Sequence, residues 1–68
     1  MLDKNALKAE IVRNGYTQAD VAKMLNISHK TFISRMRKGV FGTDEVAILI
    51  DRLNIKNPID IFFANRVT

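Results

Sequence analysis

In the stretch TQADVAKMLNISHKTFISRMRKG (residues 17–39), two short segments with helical apolar spacing meet at Asn26, Ile27 and Ser28. That junction is too short for a linker and too polar for a helix interior. Thr17 offers an N-cap hydroxyl with Asp20 three residues on, a shortened variant of the capping box, and Val21, Ala22 and Leu25 give the first segment one apolar face. Asn26 tolerates a left-handed backbone, which ends that helix and turns the chain. Ser28 is a natural N-cap for the second segment, whose inner side is Phe32 and Met36, one turn apart, with Ile27 filling the corner. Gly39 ends it, and His29, Lys30, Ser34 and Arg37 are left for the wet side.

Working outward, Leu7 and Ile11, with Ala6 and Val12 beside them, recur at helical spacing until Asn14-Gly15, which predicts a helix over about residues 3–14 with Gly15 as a left-handed cap. After Gly39, the loop VFG brings Phe41 toward the core. Thr43 is expected to cap a fourth helix from residue 44 to about residue 53, with Asp44 and Glu45 in a first turn that suits the helix dipole. Asn57-Pro58 starts a fifth helix, since proline is tolerated at the first helical position. No strand pattern, repeat, low-complexity tract or flexible linker interrupts this series. The reading is an all-α, compact five-helix domain spanning residues 1–68.

Sixty-eight residues bury only about 60% of the unfolded chain's surface on folding, so a deep enzymatic cleft is not expected. There is no cysteine, so helix packing alone must hold the fold. Asp3, Lys4, Lys8, Glu10 and Arg13 break up the amino-terminal segment, which leaves no apolar run long enough for a signal peptide or a membrane span. A soluble, cytoplasmic protein is the expectation. The net charge is +4, and its placement is uneven: between residues 21 and 43 there are five bases (Lys23, Lys30, Arg35, Arg37, Lys38) and no acid, whereas the remainder holds six bases and seven acids. Such a patch is either the footprint of a polyanion partner or a solvated face.

The tightly joined pair with a basic second helix is the arrangement of a helix-turn-helix, in which the second helix enters the DNA major groove and the first braces across the backbone. The chain resembles the lambda repressor and Cro-like helix-turn-helix family over nearly its full length. Gln18 opening the first helix of the pair, Ala22 at the close crossing, the Asn26-Ile27-Ser28 turn and Phe32 fall where that family's pattern asks. SHKTFISRM followed by Gly39, Phe41 and TDEV is especially similar to the Cro/CI-type regulators of temperate phages. Where the family usually has glycine at the turn, this chain has Asn26. Only five residues follow Phe63, which is little chain for a dimerisation element.

Helix geometry and the positions matched to the family assign roles within the pair. His29, Lys30 and Ser34 are the candidate base readers; Lys30 could reach guanine O6 and N7, and Ser34 is short and weakly selective. Gln18, Thr31, Arg37 and Lys38 are candidates for holding phosphates without reading sequence. Arg35 either joins them or leans on the protein. His29 is equally well read as a plain surface histidine. With no cysteine and no second histidine, a metal site is not expected. The chain also lacks a nucleophile beside a base, paired carboxylates in a cleft and a glycine-rich phosphate loop, so neither an enzyme nor a bound cofactor or small molecule is expected.

Ile33 falls among the groups that would meet DNA, where it either touches a thymine methyl or centres a protein interface. VAILI in the fourth helix and IDIFF near the end are more apolar than one buried face requires, which suits plain core or a self-association surface. Two functions follow. The resemblance implies a small antirepressor of the lysis–lysogeny switch, which binds the phage CI-type repressor, prevents its operator binding and is able to form a corepressor complex with it. The alternative is a Cro-type repressor that binds operator DNA itself through the third helix. Because a repressor's DNA-binding face is basic, Asp20, Asp44 and Glu45, with Ile33 as an apolar anchor, are the candidate repressor contacts.

Overall fold

A computed structural model describes residues 1–64. They form five helices and no strand: α1 (Lys4–Arg13), α2 (Gln18–Met24), α3 (His29–Lys38), α4 (Thr43–Arg52) and α5 (Pro58–Phe62). The Cα radius of gyration is 11.1 Å, matching the roughly 11 Å expected of a close-packed chain of this length.

Local chemistry sets most of the boundaries. Asp3 caps α1 by accepting from the Ala6 N–H at 3.1 Å. Thr17 and Asp20 close a full capping box on α2: the Asp20 N–H donates to Thr17 Oγ1 at 3.1 Å and the Thr17 N–H to the Asp20 carboxylate at 2.9 Å. Asn26 adopts φ 58° and turns the chain from α2 to α3. Ser28 then accepts from the Thr31 N–H at 3.0 Å. Gly15 and Gly39 take the left-handed conformation after α1 and α3, where a side chain would be strained.

The α4 start differs from the expectation that Thr43 caps it. Gly42 is the cap and Thr43 is the first helical residue. The reason is Glu45, whose carboxylate reaches back to the Gly42 N–H at 2.9 Å and satisfies it without a hydroxyl from residue 43. The predicted ends of α1 and α2 also shorten slightly, since Asn14 and Leu25 serve as C-caps. The α4–α5 connection contains a second left-handed asparagine, Asn54 at φ 52°.

Leu7, Ile11, Val21, Phe32, Leu49 and Leu53 are the largest fully buried side chains. Ala22, 1% exposed, lies in the same core, and its small size lets α2 and α3 approach closely. Phe41 packs on the core edge with its ring 5.7 Å from that of Phe32, tilted by 48°. Val12 does not share the Leu7 and Ile11 face as expected; it is 73% exposed, because a helix turns about 100° per residue and only one stripe can face inward. On α4 the apolar run is resolved in the same way. Leu49 is buried, Val46, Ile48 and Ile50 pack half-buried against the core, and Ala47 faces out.

Polar ties hold the two ends of α1 to the rest of the bundle. The Asp3 N–H donates to the Ile61 carbonyl at 2.7 Å, joining the start of α1 to α5. Asn14 Nδ2 donates to the Glu10 and Leu53 carbonyls at 2.7 and 2.9 Å, joining the end of α1 to the end of α4. Together they tie down both ends of α1.

Candidate functional site

The basic segment becomes one side of the molecule because α3 buries Phe32 and Met36 and turns the intervening residues out. His29, Lys30, Arg37 and Lys38 are exposed, and Thr31 and Ser34 are half-buried. Thr31 is partly committed to the cap, since the Ser28 hydroxyl donates to its Oγ1 at 2.9 Å. Ile33 is 43% exposed, as its position between Phe32 and Ser34 suggests. Arg35 resolves toward the protein: its guanidinium pairs with the Glu45 carboxylate, linking α3 to the first turn of α4.

Arg37 and Ile33 also line a cleft of about 280 Å³ with Met36 of α3, Gln18 of α2, and Lys4 and Lys8 of α1. No carboxylate lines it. Lys4 Nζ donates to the Arg37 carbonyl at 2.5 Å, capping a carbonyl in the last turn of α3. Lys4 and Lys8 were not among the residues that sequence reasoning singled out. Their spacing of four places them one turn apart on a shared helix face, but only the packing of α1 brings that face beside α3.

The acidic candidates separate. Asp44 is exposed at the start of α4. Glu45 is engaged by both Arg35 and the Gly42 N–H. Asp20 is held in the α2 capping box, and hydrogen bonding to the Thr17 backbone N–H first and to the Thr17 side chain second, with the Lys23 charge, keeps its carboxyl below the ordinary value of 3.8. The structure therefore does not gather Asp20, Asp44, Glu45 and Ile33 through one set of contacts.

On another part of the surface, Met1, Leu2, Val40, Phe41, Phe62 and Phe63 line an apolar groove of about 300 Å³, with Met1, Val40 and Phe63 largely exposed. Among the described residues, no group of three or more His, Cys, Asp or Glu side chains is placed to hold a metal ion. No helix among them is long and apolar enough to cross a membrane.

No family model, curated protein or solved structure matches the chain.

Proposed function

We propose that this chain is a helix-turn-helix regulator, with α2 and α3 as the motif, and that α3 docks in the major groove of operator DNA. The single observation that carries the reading is the one-signed face of α3: Lys30, Arg37 and Lys38 are all exposed, and the adjoining cleft adds Lys4 and Lys8 with no carboxylate. Phosphates supply most of the affinity for such a face, and base edges supply the choice of site. His29, Lys30 and Ser34 are the base readers. Gln18, Thr31, Arg37 and Lys38 hold the backbone. In this role the protein is a cytoplasmic Cro-type repressor in the lysis–lysogeny switch of a temperate phage.

A second reading is favoured by Ile33, 43% exposed in the middle of that face. An apolar side chain there suits an antirepressor of the modulator-of-repression type, which binds the phage CI-type repressor and keeps it from its operators. Asp20 and Glu45 serve as caps within the chain, so on this reading Ile33 and the exposed Asp44 are the stronger contacts. The two activities are compatible, since a complex of both proteins on one operator acts as a corepressor.

A gel-shift with the phage's operator DNA separates them, run with this protein alone, with the repressor alone and with both. A shift by this protein alone, lost on replacing Lys30 and Arg37 by alanine, supports the DNA reading. Loss of the repressor's shift on adding this protein, with no shift of its own, replaces it by the antirepressor reading. A repressor shift that this protein leaves unchanged, with no shift of its own, refutes both.

A further inference from the structure

We infer that Lys8 grips a phosphodiester oxygen of duplex DNA from across the α1–α3 cleft, so that α1 adds a sequence-independent anchor to the face of α3. This rests on the DNA reading above.

Lys4 and Lys8 project from one face of α1, a turn apart, and both line the cleft that Arg37 and Gln18 close from the other side. The ammonium of Lys4 is fixed by its 2.5 Å bond to the Arg37 carbonyl. That bond ties the start of α1 to the last turn of α3. Lys8 has no ion pair or hydrogen bond to the described residues, and neither does the guanidinium of Arg37. The cleft therefore presents two cations with no partner among the described residues to a common space, an arrangement that suits an anion. The other charges of α1 are turned to other uses: Glu10 pairs with Arg13 along the helix, and Asp3 caps it.

The rest of the lining fits a nucleotide backbone better than an isolated anion. Gln18 adds an uncharged donor, and Ile33 and Met36 provide an apolar wall. A phosphodiester carries its charge on oxygens beside the carbon skeleton of a deoxyribose, which calls for cations next to an apolar surface. The cleft is also continuous with the proposed reading face, because Ile33 and Arg37 belong to both. A phosphate held here would fix how far α3 turns in the groove.

The test uses the whole chain and a short duplex of arbitrary sequence, since a backbone contact needs no operator. Fluorescence anisotropy is measured from about 50 to 200 mM salt, where each phosphate contact contributes about 0.9 to the slope of log affinity against log salt. Lys8→Gln should flatten the slope by about 0.9, Lys8→Arg should restore it, and Lys56→Gln, which does not line the cleft, should leave it unchanged. Lys8 is exposed, so all variants should melt with the parent chain. If Lys30→Ala flattens the slope and Lys8→Gln does not, α3 docks without α1 and the inference fails alone. If the parent chain does not bind duplex at all, the DNA reading fails and takes the inference with it. If Lys8→Gln keeps the duplex slope but loses the CI-type repressor, the cleft holds an acidic protein side chain, which also overturns the inference.

Discussion

Replacing Glu45 by alanine should cost the fold more than replacing Arg35, although the two form one ion pair. The Glu45 carboxylate is shared between the Arg35 guanidinium and the Gly42 N–H, which donates to it at 2.9 Å. The pair is partly screened by water, with the Arg35 side chain 37% exposed and that of Glu45 14% exposed, so it should contribute about 0.5–1 kcal/mol. The hydrogen bond that closes the start of α4 has a charged acceptor and should contribute about 1–1.5 kcal/mol. Arg35→Ala removes the first contribution alone. Glu45→Ala removes both, for a loss of about 1.5–2.5 kcal/mol. At roughly 4–8 °C of melting temperature per kcal/mol for a domain of this size, that is a drop of about 6–20 °C, against about 2–8 °C for Arg35→Ala. Circular-dichroism melts and urea titrations of the parent, both single variants and the double variant complete a cycle whose coupling should equal the pair's 0.5–1 kcal/mol, approximately. Glu45→Gln, which keeps an acceptor for Gly42, should fall between the two single variants. Equal losses for the two single variants, or an additive double variant, would refute the shared role of this carboxylate. Loss of partner binding in a Glu45 variant is accordingly a stability effect first, and Asp44 is the cleaner probe of an acidic docking contact.

Other positions give equally direct tests. Phe32→Ala empties a fully buried site beside Phe41 and should cost about 3–5 kcal/mol, a large part of the roughly 3–10 kcal/mol available to a chain of this length; a melt within a few degrees of the parent would contradict the core assignment. Ala22→Leu should be about 1–3 kcal/mol worse by forcing α2 and α3 apart, measured in the same way. At Asn26, whose φ is 58°, glycine should be tolerated, whereas alanine should lose roughly 1 kcal/mol to left-handed strain; equal urea midpoints for the two would argue against the turn. Asp20 has its carboxyl lowered by the Thr17 donors, so its contribution to stability is present above the ordinary value of 3.8 and is lost as pH falls through the lower folded value. The stability gap between the parent and Asp20→Asn, followed by urea unfolding across pH, should therefore close on acidification; a gap that widens there would have the wrong sign.

The sequence by itself determined the five helices and, apart from the cap of α4, where they turn. Thr17 with Asp20, Ser28, Asn26, Gly15, Gly39 and Pro58 act through bonds and backbone angles that span four residues or fewer, so their effect is written in local spacing. Phe32 and Met36 as the inner side of α3, and Ile33 as its exposed apolar residue, follow from the same helical period. Only the tertiary structure decided what each surface side chain does next. Val12 lost its place in the core because α1 can bury only one stripe, and the side filled by Leu7 and Ile11 was taken. Arg35 could have faced solvent or protein from its position in α3; the approach of α4 paired it with Glu45, ten residues away, and so withdrew that acid from the free surface. Lys4 and Lys8 carry no local mark of a site. They line a common cleft with Ile33, Met36 and Arg37 because α1 packs beside α3, its ends tied to α5 through Asp3 and to the end of α4 through Asn14. Such contacts join residues more than thirty positions apart, and the angle at which helices cross sets them, which no periodicity along the chain encodes.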